Sequence, residues 1–339
     1  MSAIIVKNLT RRFTTHVKQP GFAGALRGLV KREYKTKVAV QDLSFVIEPG
    51  EFVGFLGPNG AGKTTTLKIL SGVLHPTSGE ATVLGYTPWL RQPELQRRFS
   101  LVLGQKNQLW WDLPALDSFL LNRDIYDIDH KIFDTKVAEL TELLALKEIL
   151  HVPVRKLSLG ERMKCEIAAS LLHAPEVLFL DEPTIGLDVV SQLRIREFLR
   201  DYNERTGITV ILTSHYMSDI EALCKRVMVI DGGRAVFDGA LRELVARGAN
   251  RRAIRLTLQR VLSESEVAAL HSTTDETEIT GLSVVVTVNR DEVPERVAAL
   301  LQTLPVADLK VEDVSVEDVV RDLFSGETHY PDASGEPHI

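Results

Sequence analysis

Between Val38 and about Gly239, short apolar runs alternate with longer stretches whose apolar residues recur at helical spacing. Phe52–Leu56, Val177–Leu180, Thr209–Thr213 and Arg226–Ile230 are short, apolar or β-branched, and end at turns or polar clusters, so each predicts a strand. The alternation predicts a mostly parallel sheet covered by helices. Two segments break the rhythm. From His16 to Lys37 the chain is basic, and Phe22, Leu26, Leu29 and Val30 fall on one face of a short helix. After Ala249, Ile254–Leu258, Leu282–Val288 and Asp308–Glu312 predict strands, with helices at Glu264–Leu270 and Asp291–Thr303. That strand-helix-strand-helix-strand order predicts a small α+β domain. RGANRR, residues 247 to 252, reads as the linker, and the polar, Gly- and Pro-containing residues 326–339 as a disordered tail. The domain division is then 1–248, with a basic insertion at 16–37, followed by 249–325.

Composition narrows the classes. At 339 residues the chain suits two domains and needs no staple to build a core. Its two cysteines, Cys165 and Cys224, cannot make a disulfide framework and point to a reducing interior. A net charge of −6 gives no global basic field, so no nucleic-acid partner is expected. No apolar run approaches the roughly 18–20 residues of a membrane span. The opening MSAIIVKNLTRRF lacks the pattern of a signal peptide, so secretion is not expected.

Three motifs carry chemistry. GPNGAGKT, Gly57 to Thr64, fits G-x-x-x-x-G-K-[ST] between a predicted strand and a helical run. In such a loop backbone N–H groups turn toward phosphate oxygens and the next helix adds its positive N-terminus. Gly57, Pro58, Asn59, Gly60, Ala61, Gly62, Lys63, Thr64 and Thr65 are therefore candidates for phosphate binding, with Lys63 at the β/γ oxygens and Thr64 on Mg²⁺. VLFLDEPT, Val177 to Thr184, ends an apolar strand in two carboxylates: Asp181 for Mg²⁺ and Glu182 to polarise a water. LSLGERMK begins at Leu157, between the other two.

Together the three motifs, in this order, resemble the nucleotide-binding subunit of ABC transporters over about the first 245 residues. The resemblance implies an α/β fold: a P-loop (RecA-like) ABC ATPase core with a helical subdomain at about 106–165, plus the small C-terminal α+β domain. It implies ATP and Mg²⁺ as ligands. Gln105 in VLGQKNQLWWDLP resembles the Q-loop glutamine that contacts Mg²⁺ and the attacking water; Gln108 competes, but Gln105 keeps the usual apolar spacing to Leu109 and Leu113. Asp188 resembles the D-loop aspartate, and His215 the switch histidine that contacts the γ-phosphate. Phe13 and Tyr34 compete as the aromatic that stacks on adenine, with Phe13 preferred.

The signature departs from the family's usual LSGGQ at Leu159 and Glu161, while Ser158 and Gly160 are kept. The basic insertion interrupts a region where relatives run directly from strand to strand. In the family, Ser158 and Gly160 serve the ATP held by a partner chain's phosphate loop, which implies a homodimer with shared ATP sites. It also implies separate integral membrane permease subunits, export rather than import, and a peripheral location on the cytoplasmic face of the membrane. In the helical subdomain Val137, Leu140, Leu143, Leu144 and Ile149 form an apolar stripe, read as a core face. Trp110 and Trp111 stand where the family receives a permease's coupling helix, or else are buried aromatics. The segment Phe22–Val30 is read as lying along lipid or permease, or as packed on its own domain.

Rival readings fit less well. Soluble ABC proteins of the ribosome carry two cassettes per chain, whereas one is present here. DNA-repair ATPases separate loop and signature by a long coiled coil, and here only about ninety residues without heptads intervene. Intact Lys63, Asp181, Glu182 and His215 argue against a dead binding module.

Overall fold

The computed structural model describes residues 2–16, 34–214, 216–247, 250–271, 276–314 and 316–325. The expected helix at Phe22–Val30, His215, residues 248–249 of the linker and the tail 326–339 lie outside the described residues. Contacts divide the chain after Gly239 into two compact units.

In the first unit, β1 (Ile4–His16) pairs antiparallel with β2 (Tyr34–Ile47) and, on its other edge, with β4 (Ser78–Val83). The β1–β2 pairing runs out to His16 opposite Tyr34. A six-stranded sheet has the order β5-β6-β7-β3-β8-β9 and comprises β3 (Phe52–Leu56), β5 (Phe99–Leu103), β6 (Val177–Asp181), β7 (Thr209–Thr213), β8 (Arg226–Asp231) and β9 (Arg234–Ala240). The pairs β5–β6, β6–β7, β3–β7 and β3–β8 are parallel. Every residue of β3, β6 and β7 is buried, the burial of a parallel sheet covered on both faces.

Helix α1 (Lys63–Leu70) lies between the sheets, and its Leu67, Ile69 and Leu70 join one core with Ile4, Leu43 and Val83 from the antiparallel sheet and Phe55, Phe179 and Ile211 from the parallel one. After the short α2 (Pro93–Gln96) and β5 come α3 (Ala115–Tyr126), α4 (His130–Leu143) and α5 (Leu159–Leu171). Leu140 and Leu144 of the expected stripe are buried, but Leu143 is 42% exposed; Phe133, Leu146 and Leu150 take its place in the interior. Apolar residues at helical spacing in a sequence do not mark where a helix stops. The helix closes at Leu143, and the buried residues beyond it sit in a following turn. Helices α6 (Val189–Thr206) and α7 (Met217–Leu223) complete the unit.

Both cysteines are buried free thiols, and burial pushes Cys165 up to about 12. Among the described residues no helix is long and apolar enough to cross a membrane.

The second unit begins with α8 (Leu241–Arg247), which packs against the last helix, α11 (Val316–Ser325). Its antiparallel sheet, of order β11-β12-β10-β13, is built from β10 (Arg251–Leu258), β11 (Glu276–Thr280), β12 (Ser283–Asn289) and β13 (Val306–Asp313). With α9 (Glu264–His271) and α10 (Val293–Thr303) the order is β-α-β-β-α-β, a split βαβ arrangement. Ile254, Leu256, Leu258, Val284, Val286 and Val288 face a core closed by Leu270 and Leu300. The expected five-element order therefore gains β11 and α11. Strand β11, ETEIT, is an edge strand with a single aliphatic residue, so it carries no apolar run for a pattern to detect.

Candidate functional site

Chain-distant motifs meet at one edge of the parallel sheet because of its register. Thr213, the last residue of β7, stands opposite both Phe55 of β3 and Asp181 of β6. The loop after β3, the two carboxylates after β6 and the segment after β7 are thus gathered where the strands end.

The phosphate-loop candidate turns directly into α1. Gly62 has φ 109°, and a Cβ there would lie 2.3 Å from the Ala39 carbonyl oxygen, so only glycine fits. Lys63 is buried and donates from Nζ to the carbonyls of Gly57 at 2.5 Å and Pro58 at 3.1 Å. Burial lowers its pKa, against the opposing pull of Glu182 and Asp181. The Thr64 hydroxyl donates to Asp181 Oδ1 at 2.9 Å, and the Thr213 hydroxyl donates to the same oxygen at 2.7 Å.

Glu182 sits in the left-handed region at φ 56°, a strained place for a side-chain-bearing residue. Its N–H donates to the Thr213 carbonyl at 3.0 Å, with the Thr213 hydroxyl 3.1 Å away, and these contacts hold the turn. Gln105 donates from Nε2 to Glu182 Oε2 at 2.9 Å. Gln108 instead donates to the Leu101 carbonyl, so Gln105 is the glutamine that reaches the carboxylate. A cavity of about 230 Å³ joins Phe13, Lys37, the loop from Asn59 to Thr65 and Glu182. Phe13 lines it under the Arg11 guanidinium, 4.6 Å from the ring centre, whereas Tyr34 is 59% exposed at the far end of the hairpin.

Ser158, Gly160 and Asp188 form a second cluster and do not line that cavity. Ser158 caps α5, and Glu161 completes the box: the Ser158 hydroxyl and N–H both donate to Glu161 Oε2, at 2.8 and 2.9 Å. These bonds hold the Glu161 carboxyl below the usual range. Asp188 caps α6 by accepting from the Ser191 N–H at 2.9 Å and hydroxyl at 2.6 Å. A Cβ on Gly160 would lie 2.4 Å from Ser191 Oγ, so the two helix starts touch.

Sequence reasoning missed three contributors. Gly104 donates its N–H to the Asp181 carbonyl, and a Cβ there would lie 2.0 Å from the Glu182 carbonyl oxygen. Lys37, counted only as part of a basic segment, is in the cavity wall. Asp219 is fully buried and accepts from Thr184 Oγ1 at 2.5 Å, from Arg196 Nε at 2.5 Å and from the Ser214 hydroxyl. It ties the end of the DEPT segment, α6 and the residue before position 215 to one carboxylate. No local pattern marks these three; their roles arise from neighbours distant in sequence.

A larger groove of about 590 Å³ lies on the other side of β5, between it, α3 and α5. Trp110 lines it and is 58% exposed, and Trp111 is 49% exposed, so neither is a buried aromatic. In its floor lies Glu166 of α5, only 2% exposed, with the Arg162 guanidinium 3.6 Å away. Neither oxygen of Glu166 has a side-chain hydrogen bond; the Gln108 backbone N–H and the Arg162 guanidinium favour its charged form but do not offset its burial. Burial raises its pKa to about 7.

The oxygen-rich set of Thr64, Asp181 and Gln105 beside a phosphate-type loop fits Mg²⁺, a hard cation that takes part of its shell from substrate phosphates.

Comparison with known proteins gives the same direction. Residues 40–185 match the ABC transporter family, and residues 250–312 match the C-terminal domain of EvrA-like ABC transporters. The linearmycin resistance ATP-binding protein LnrL of Bacillus subtilis is 35% identical over 243 residues, 72% of this chain and 77% of that protein. The Nod factor export ATP-binding protein I of Burkholderia pseudomallei is 37% identical over 64% of this chain and 70% of its own. A dimeric post-hydrolysis structure of the ATP-binding cassette MJ0796 superposes with a TM-score of 0.59 at 24% identity, covering 70% of this chain and 99% of that one.

Two outcomes follow from the buried carboxylates. Asp219→Ala strips the acceptor from Thr184, Ser214 and the nearly buried Arg196, and should cost roughly 3–5 kcal/mol in urea unfolding. Glu166 is an acid whose pKa is raised on folding from 4.5 to about 7. Its contribution is therefore complete below pH 4.5 and is lost as pH rises toward 7, by about 3 kcal/mol. Glu166→Gln should remove that decline from the pH profile of unfolding.

Proposed function

The chain belongs to the ATP-binding subunits of ABC transporters and is an ATPase, and from that premise we propose that it drives an exporter as a head-to-tail homodimer bound to a separate membrane permease. The observation that carries the reading is the separation of the site into two clusters. One holds Lys63, Thr64, Asp181, Gln105 and Glu182; the other presents Ser158, Gly160 and Asp188 at two touching helix starts. A helix N-terminus suits a phosphate, and the second cluster has no phosphate loop of its own beside it. Two chains in opposite orientation bring each cluster to the other's loop, with ATP between them. Exposed Val189, Val190 and Leu193 on the first turns of α6 give that face apolar area to bury.

Within one site, loop N–H groups and Lys63 bind the β- and γ-phosphates. Lys63 is buried, so its attraction for oxygen is screened less than in water as charge develops there. Thr64 and Asp181, with Gln105, would hold Mg²⁺, which when bound neutralises phosphate charge. Glu182 takes or orients the proton of the attacking water, and Gln105 fixes its carboxylate by the hydrogen bond at 2.9 Å. His215 is proposed to contact the γ-phosphate, and Phe13 to stack on adenine at the cavity wall. Loss of the γ-phosphate removes bonds across the interface, so opening and closing of the dimer are the mechanical output.

The permease is assigned to the groove beneath Trp110. Tryptophan offers large area with a polar handle, and the exposed rim is a surface that a partner would cover. The export direction rests on the relatives, two of which are named for resistance and for Nod factor export. The location that follows is peripheral, on the cytoplasmic face of the membrane.

Glu182→Gln should keep ATP binding, nearly abolish turnover and shift the chain to an ATP-bound dimer in size-exclusion chromatography; normal turnover would remove Glu182 from its role. The permease reading is tested by recovering tagged full-length protein from detergent-solubilised membranes. One integral membrane protein with several spans is expected by mass spectrometry, and recovery of ribosomes or of the bait alone would overturn it.

A further inference from the structure

The groove beneath Trp110 has a mixed character that the permease reading does not by itself require. Its rim is apolar and open: Trp110, Leu121 and Ile125 are 58%, 37% and 60% exposed. Its floor holds a carboxylate, Glu166, that is almost wholly buried. Burying an ionisable acid with so little to offset the lost water is costly, and a small apolar residue on α5 would avoid the cost. The groups that face it, the Gln108 backbone N–H among them, do not offset its burial. Arg162 lies one turn earlier on the same helix at 3.6 Å, and its Nε is itself buried without a hydrogen bond. His173 is stacked on Tyr126, its Nε2 is 3.2 Å from the Phe99 carbonyl, and burial keeps it toward the neutral form. Arg97 lines the same groove but is exposed.

We propose that Glu166 is a charge socket for a lysine or arginine on the permease segment that docks in this groove. The occupant is a helix or turn with apolar side chains for the rim and one basic side chain long enough to reach the floor. The aliphatic stem of such a residue passes the aromatic rim, and its cationic head supplies charged donors that the Gln108 N–H and the distant Arg162 do not. Specificity follows from the same arrangement. A permease with a neutral residue at that place leaves Glu166 buried with only Arg162 and the Gln108 N–H to offset the loss of water, and one with an acid adds repulsion. The inference rests on the permease reading above and adds the chemistry of the contact.

The test compares tagged full-length wild type, Glu166→Gln and Glu166→Asp against the same detergent-solubilised membranes, with recovery of the multi-span protein quantified by mass spectrometry. Gln keeps the shape and loses the charge; Asp keeps the charge on a shorter stem. Recovery should fall at least roughly tenfold for Gln and stay well above that level for Asp. Equal recovery with Gln and wild type overturns the socket and leaves the permease reading standing. An equal fall for Asp and Gln also overturns it, since shape rather than charge is then at work. Absence of any multi-span protein with wild type overturns the permease reading and the socket together. Thermal melting of the isolated variants completes the test: Gln should melt no lower than wild type, and a lower value would show that the charge was already satisfied within the chain.

Discussion

One oxygen of Asp181 holds the site together. Accepting from Thr64 and Thr213 at once, it joins the helix that follows the phosphate loop to the end of β6 and to the end of β7. These positions are 117 and 32 residues away in the chain. The parallel register brings Thr213 opposite Asp181, and α1 brings Thr64 from above. Once Asp181 is fixed, its neighbour Glu182 must turn away, and the left-handed backbone with its N–H bond to Thr213 is how the chain does so. The strain is small against a buried sheet whose three central strands are covered on both faces. The close fit of Gly104 under Glu182 belongs to the same constraint, because the chain crosses there with no room for a side chain.

The second cluster has a different logic. Ser158, Glu161, Asp188 and Ser191 satisfy one another at two helix starts, so this face is rigid without any ligand. Glu161, a departure from the family's glutamine, earns its place locally by closing a capping box. The same exchange leaves the Ser158 hydroxyl donating to a carboxylate. On the dimer reading, a phosphate must compete with Glu161 for that proton, and a negative charge stays close to the incoming nucleotide. Both effects favour a weaker closed state than a glutamine would give.

What could be read from the sequence was whatever chemistry is written in consecutive residues. The strands at Phe52, Val177, Thr209 and Arg226 begin where their apolar runs begin, because buried parallel strands leave continuous signals. The loop from Gly57 to Thr65 and the pair Asp181–Glu182 were legible for the same reason. Gln105 was separable from Gln108 only by spacing, and the bond to Glu182 supplies the physical distinction. Asp219, Gly104 and Lys37 were not legible, since each acts on residues far along the chain. Leu143 shows the converse: helical periodicity counts it inward, but the helix ends there and the side chain faces out. Strand β11 is held by its pairing with β12 rather than by any apolar pattern of its own.

Helix α5 connects the two faces on which the proposed mechanism depends. Ser158 caps its start, and Glu166 lies eight residues on, about 12 Å along the axis. Between them Gly160 and Met163 to Cys165 are buried, so the helix is gripped by the fold and cannot bend cheaply. On the proposed reading, a side chain seated on Glu166 would push or pull on the same rigid rod that would present Ser158 and Gly160 to a partner's nucleotide. The coupling needs no long pathway of side chains, because a displaced helix moves both its ends. It also runs in both directions: whatever free energy a bound permease gives to closure of the nucleotide sites, closure must return to the permease contact. A buried charge in the floor of the groove suits that exchange.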